Sequence, residues 1–250
     1  MHLKIVSFNI RCCDDKDGHS IPERAPRLHA AIAPLAPDLI GLQEYRPAWE
    51  AHIEKYFGAD YEIFNKYRST ESPESAPILW KRDAFTCLDK GYFWLSDTPE
   101  TESRGWDERY NCHRICEWVI LEHKSGKRFT FMNTHYGFGD DGQVKSSKLI
   151  LERKKLISPY PAFITGDFNM LPDSPGYQAI CRGFTDVNAV TRRDLSQTFH
   201  GYCPEKHEHS HIDFCFVSEG VTPVDQKIIR TVFDGKYPSD HYGLDITLEL

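Results

Sequence analysis

The sequence predicts an α/β chain in which two mixed β-sheets pack face to face, with helices on the outside. Three observations lead there. Short strand-like runs outnumber helical patterns but are interspersed with them, which excludes an all-α or all-β chain. The later runs, at 115–122 and 128–134, follow each other at hairpin spacing instead of alternating with helices. No glycine fingerprint follows the first strand, so the dinucleotide-binding arrangement that an opening strand-helix-strand unit would also fit is set aside.

The strand-like runs lie at 3–8, 38–43, 61–65, 77–81, 115–122, 128–134, 161–166, 211–217, 227–232 and 243–249. Ile21, Ala25, Leu28, Ile32 and Leu35 recur at helical spacing, with Pro34 ending the pattern. Pro47 opens a second helix carrying Trp49, Ile53, Tyr56 and Phe57 on one face. Residues 143–157 form a third, cationic on its outer face, and Asp173-Ser174-Pro175 caps a fourth that runs to about Arg182. No linker, repeat or low-complexity tract divides the sequence, so residues 1–250 are expected to form a single domain.

The chain is 40% hydrophobic and 27% charged, the proportions of a globular rather than a disordered protein. A net charge of −7 argues against a general duplex-binding surface, because gripping many phosphates needs a basic face. Its eight cysteines are scattered without a CxxC pair, and the sequence LKIVSF enters a strand at once. Both features fit reduced thiols in a cytoplasmic protein without a leader, and no apolar run reaches membrane-spanning length.

The chemistry is concentrated at strand ends. In PAFITGDFN a buried run ends in glycine, then Asp167 and Asn169 follow two residues apart, on one face if the strand continues. LKIVSFN ends in Asn9, DLIGLQE in Glu44, and RFTFMNTH in Asn133 and His135. HIDFCFVS carries Asp213, and YPSDHYG presents Asp240 and His241 just before the last strand. Turn chemistry explains each one singly; it does not explain the whole ordered set.

These pieces (SFNI, LQE, NTH, GDFN, HIDF and SDH) together resemble the endonuclease/exonuclease/phosphatase superfamily over essentially the whole chain. The FWLS and RGWD segments look most like compact bacterial members related to its deadenylase-like branch. The resemblance implies a DNase I-like four-layer sandwich with these loops converging on one edge. Where DNA-repair members carry a second acid two residues after the first Asn, this chain has Arg11, which weakens a base-excision role.

If Glu44, Asp167, Asp213 and Asp240 converge, carboxylates some 4 Å apart repel by roughly 4 kcal/mol at a surface-like dielectric. A cation is then expected, and all-oxygen ligands select Mg2+ or Mn2+ over zinc. Glu44, matching the superfamily's LQE glutamate, is the first choice of ligand, with Asn9 beside it and Asp240 holding a second ion or acting through water. His241 is expected to face a phosphate, with Asp213 fixing its other ring nitrogen, and His135 to add a second proton donor or a phosphate contact. Either Asp167, held by Asn169, or His241, backed by Asp213, serves as base; the sequence leaves both open.

Arg104, Arg109 and Arg114, interleaved with Trp106, are expected to bind the phosphorylated substrate, a nucleotide or single-stranded nucleic acid among the candidates. Of these, Arg114 is the one expected to reach the phosphate. His207, His209 and His211 alternate, but in a Glu- and Lys-rich stretch that reads as a solvated hairpin rather than a zinc site. Lys66–Ser75 reads as a polar loop without further signal. The leading reading is a metal-dependent phosphodiesterase or nuclease acting by in-line water attack. A phosphomonoesterase acting on a small phosphorylated sugar, inositol or nucleotide is the alternative. An inactive binding domain of the same fold is disfavoured because every signature keeps its chemical groups.

Overall fold

Twelve strands and five α-helices follow each other in the computed structural model, which describes residues 1–250. They are β1 (His2–Asn9), α1 (Ile21–Ile32), β2 (Leu39–Gln43), α2 (Pro47–Phe57), β3 (Tyr61–Phe64), β4 (Ile78–Lys81), β5 (Phe85–Trp94), β6 (Ile115–His123), β7 (Arg128–His135) and α3 (Asp140–Ile157). After them come β8 (Ala162–Asp167), α4 (Pro175–Ile180), β9 (Thr185–Asp186), α5 (Val187–Val190), β10 (Asp213–Val217), β11 (Thr222–Ile229) and β12 (Gly243–Glu249). Two six-stranded sheets result, ordered β11-β12-β1-β2-β4-β3 and β5-β6-β7-β8-β10-β9.

Each sheet has one parallel pair at its centre, β1/β2 in the first and β7/β8 in the second, and is otherwise antiparallel. Strands of a parallel pair end on the same side, so Asn9, Glu44, His135 and Asp167 leave their sheets in register. Asp213 opens β10 directly opposite Asp167, and Asp240 and His241 precede β12, which runs back along β1. One edge therefore collects all six strand ends.

Three hydrophobic clusters separate four layers. Leu3, Ile5, Leu39, Phe129, Phe131, Phe163, Ile246 and their neighbours fill the space between the sheets. A second cluster packs α1 and α2 on the first sheet through Leu28, Trp49 and Phe57. A third packs α3 and α4 on the second sheet through Ile150, Ile164 and Ile180. Toward the edge the inter-sheet core turns polar. Asn133, wholly buried, accepts from Gln43 Nε2 (2.8 Å) and Thr165 Oγ1 (3.0 Å) and donates to the Leu42 carbonyl (2.7 Å).

The sequence pattern misses β5. It is an edge strand with Thr86, Leu88, Asp89 and Lys90 exposed, and a bulge between Cys87 and Asp89 shifts its alternation. β11 occupies 222–229 rather than 227–232; Pro223 is tolerated because that strand also lies at an edge. Helix α1 stops at Ile32, and Pro34 falls in the 3-10 turn Ala33–Leu35 that follows. Residues 207–211 form no hairpin: a 3-10 turn at Pro204–Lys206 precedes them, and His211 is buried with Nδ1 2.8 Å from the Ser196 carbonyl.

Gly41 packs directly against the polar layer. A Cβ there would meet Thr165 Oγ1 at 2.6 Å and Asn133 Oδ1 at 2.8 Å. Gly41→Ala is therefore expected to destabilise the fold by about 1–3 kcal/mol through overpacking, measured by urea unfolding. Unchanged stability would mean the sheets separate freely at this level.

Candidate active site

Three residues that leave strands at this edge adopt left-handed backbone conformations unusual for side-chain-bearing residues: Arg11 (φ 63), Glu44 (φ 61) and Asn169 (φ 48). Such conformations persist where surrounding contacts over-determine them. At Arg11 the amide donates to Asn9 Oδ1 (3.0 Å), and at Asn169 to Asp167 Oδ1 (2.9 Å). Strand β8 ends at Asp167, so this turn, and not continued alternation, brings Asp167 and Asn169 together. Gly166 lies inside the strand, where a Cβ would collide with the Thr134 carbonyl of β7.

Asn9 joins the two sheets. Its amide nitrogen donates to Glu44 Oε1 at 3.1 Å and to Asp167 Oδ2 at 2.9 Å, linking carboxylates from opposite sheets. Glu44 Oε2 also accepts the Cys12 amide (2.8 Å). Burial opposes its charge, yet the Cys12 hydrogen bonds, His241 and Arg11 hold Glu44 below the usual carboxylate range. Burial instead pushes Asp240 upward, with Glu44 adding repulsion, against the pull of His241 and Arg11.

The two histidines occupy opposite charge states. His241 Nδ1 sits 2.9 Å from Asp213 Oδ2, with Nε2 3.7 Å from Asp167 Oδ2. Burial lowers its basicity, but Asp213, Asp167 and Asp240 outweigh it and push the imidazolium up to about 10. His135 is held well below its ordinary value by burial and by Arg114 and Arg68. It is neutral, with Nε2 3.1 Å from Asn169 Nδ2. With Asn169 donating there, Nδ1 carries the hydrogen; that atom is buried without a hydrogen-bond partner and lies 3.7 Å from Glu74 Oε1. Asp167 is pushed up to about 7, by burial first and Asp213 next.

Glu44, His135, Asp167, Asn169, Asp240 and His241 line a cleft of about 810 Å3, while Asn9 and Asp213 are buried and do not line it. Arg109 and Arg114 line it as well, while Arg104 and Trp106 do not. Arg104 bonds the Asn111 carbonyl (2.7 Å) and faces Glu71, and Trp106 Nε1 donates to Asp97. Neither side chain turns into the cleft. Arg109 stands at the rim over the rings of Tyr110 and Phe138. Arg114 is buried, and its guanidinium is engaged with Asp107 (3.2 Å) and Glu74 (3.7 Å) instead of being free to fork onto a phosphate.

The 66–76 loop corrects the sequence reading most. Arg68, Ser69, Glu74 and Ser75 are buried, and Arg68 and Glu74 line the cleft as an ion pair. The loop is drawn in by Glu117 on β6, whose wholly buried carboxylate accepts the Lys66 and Ala76 amides, both at 3.1 Å. No local pattern signals this, because the anchoring acid lies 41 residues beyond Ala76. Phe199, Tyr202 and Ser210 also line the cleft without any strand-end motif to mark them, and His207, expected in a solvated hairpin, lines it with them; Thr198 ties this wall to β10 by accepting the Asp213 amide (3.0 Å).

A profile of the Endonuclease/Exonuclease/phosphatase family matches residues 6–241. The chain belongs to that family. An endonuclease/exonuclease/phosphatase family protein of Bacteroides thetaiotaomicron superposes with a TM-score of 0.91 at 27% identity, covering 100% of this chain and 99% of that one. A mannosyl-6-phosphatase from Bacteroides thetaiotaomicron VPI-5482 gives 0.85 at 28% identity, covering 99% and 98%. Carbon catabolite repressor protein 4 homolog 3 of Arabidopsis thaliana is 25% identical over 177 residues, 65% of this chain and 36% of that protein. The chain thus spans about a third of the length of that curated relative. The two-sheet, four-layer architecture is the DNase I-like fold of the family, whose members are hydrolases of phosphoester bonds. No helix is long and apolar enough to cross a membrane.

Burial raises the Glu117 carboxyl well above its ordinary value, against the two amides and Lys66. The native state therefore holds this proton more tightly than the unfolded chain. Its contribution to stability is complete below the unfolded value of about 4.3 and is lost as pH rises toward the folded value. Glu117→Gln is expected to flatten this fall, so that its stability relative to wild type improves as pH rises above about 4 in denaturant titrations. Parallel pH profiles for the two proteins would refute the burial argument.

Proposed function

We propose that this chain is a divalent-metal-dependent phosphoesterase acting on a small phosphorylated molecule, with a phosphomonoester of a hydroxyl-rich compound ahead of a diester. The carrying observation is the cleft. In one walled space of about 810 Å3 it gathers Asp167, Asn169, His135 and His241 beside Glu44 and Asp240. That is the size of a site for one small ligand rather than for a duplex, and the net charge of −7 points the same way. Similarity to a mannosyl-6-phosphatase over nearly the full length supports the ordering.

The residues fit a hard divalent cation. The cationic groups within 4.0 Å of Glu44, Asp167, Asp213 and Asp240 are Arg11 and His241, and Arg11 is shared with Asp15, so these four acids outnumber the cations paired with them. Glu44 would hold the ion, with Asn9 and Asp240 beside it; Mg2+ or Mn2+ suits these oxygen donors. When bound, the ion supplies neutralising charge to the phosphate oxygens. Asp167, Asp213 and His241 place ligand-type atoms within 4.8 Å of one another. His241 Nδ1 is already committed to Asp213, which suits proton handling better than metal ligation.

In this scheme His241, protonated and oriented by Asp213, donates from Nε2 to a phosphate oxygen. It cannot then be the base. Asp167 takes that role, accepting the proton of the attacking water, while Asn169 and Asn9 hold its carboxylate in place. The Nδ1 of His135 is buried toward Glu74, so its part is to accept from Asn169 Nδ2 through Nε2 and hold that residue beside Asp167.

Hydrolysis of p-nitrophenyl phosphate, bis-p-nitrophenyl phosphate and a panel of sugar phosphates separates the readings. Turnover of monoesters is expected to exceed that of the diester, to vanish in EDTA and to return with Mg2+ or Mn2+. Full activity in excess chelator would remove the metal reading, and preference for the diester would reverse the substrate ordering. Asp167→Asn and His241→Ala are each expected to lower kcat by at least about 100-fold with the fold retained. Near wild-type turnover in either variant at saturating metal would overturn its role.

A further inference from the structure

Arg11 has no part in the scheme above, yet it stands against the acids at its centre. Its guanidinium forms a two-point hydrogen bond with Asp15, Nε to Oδ2 at 3.0 Å and Nη2 to Oδ1 at 3.2 Å. Nε also lies 3.6 Å from Asp240 Oδ2, and Nη1 lies 4.0 Å from Glu44 Oε2. The side chain is 32% exposed and lines the cleft, so it is placed there without being sealed in.

The position is built. The Arg11 amide is tied to the Asn9 carboxamide, and its carbonyl accepts from both Arg24 Nη2 (3.2 Å) and Trp49 Nε1 (3.0 Å). Arg24, fully buried, also binds the Ile10 and Cys13 carbonyls and braces the whole 10–13 turn. On the far side Tyr202 donates to Asp15 Oδ2 (3.2 Å), so Asp15 in turn fixes the guanidinium.

We infer that Arg11 is a resident cation at the Glu44–Asp240 carboxylate pair and limits the site to a single divalent ion. The inference rests on the metal-dependent reading above. A guanidinium stays charged at any accessible pH and repels a second ion brought to the same carboxylates. One divalent ion offsets the surplus charge that Arg11 leaves; another would have to displace the guanidinium from Asp240. Arg11 is thus a positioning residue that sets metal stoichiometry, and it bonds no reacting atom.

Mn2+ titration followed by the electron paramagnetic resonance signal of the free ion counts bound ions without reference to turnover. The wild-type chain is expected to bind one equivalent, Arg11→Lys to keep one, and Arg11→Ala to take up a second at concentrations where wild type is already saturated. Arg11→Lys retains the charge at this position, and thermal unfolding of each variant confirms that folded protein is being counted. Two equivalents in wild type, or one in folded Arg11→Ala, would overturn the inference while leaving the metal reading intact. No bound Mn2+ in wild type would remove both.

Discussion

The Asn9 carboxamide is the constraint on which the rest of the site depends. One amide nitrogen donates to carboxylates from two different sheets, Glu44 beyond β2 and Asp167 at the end of β8. The sheets must therefore pack with these ends within hydrogen-bond reach, and the arrangement of the parallel pairs makes that possible. Just below, the Asn133 network replaces apolar packing with hydrogen bonds between the same strands. Hydrophobic contact is non-directional and tolerates sliding; these bonds do not. The polar layer thus sets the relative position of the sheets more sharply than the core beneath it.

Concentrating this many acids under little solvent is costly unless each is hydrogen-bonded or paired. The molecule meets that requirement with partners of different kinds. Glu44 is held by an amide and a carboxamide, Asp213 by an imidazolium, Asp15 by a guanidinium, and Glu74 by two buried arginines. The result is a division of labour by environment. Neighbouring acids outweigh burial and keep His241 charged, whereas burial, reinforced by neighbouring arginines, keeps His135 neutral, although both histidines reach the same carboxylate.

Legibility followed burial and separation along the chain. Strands buried on both faces, such as β2 and β8, read as continuous apolar runs, and their polar ends stood out against them. β5 did not, since its middle is exposed and bulged. The 66–76 loop looked like solvated surface because nothing near it in sequence reveals that Glu117 will bind its two ends. Arg104, Arg109, Arg114 and Trp106 share a segment and a composition, but a loop turns its side chains in directions that periodicity does not describe.

The sequence by itself determined most of the element types, the two-sheet class and the family, because apolar periodicity and ordered strand-end motifs are local properties. It also determined which acids, amides and histidines lie where strands leave the core. Only the tertiary structure decided what those groups are to one another: that Asn9 bridges two sheets, that Glu74 and Arg68 join the cleft, and that Arg11 faces Glu44 and Asp240. Those relations are distances between residues far apart in the chain, set by sheet packing and by buried hydrogen bonds whose partners no local window contains.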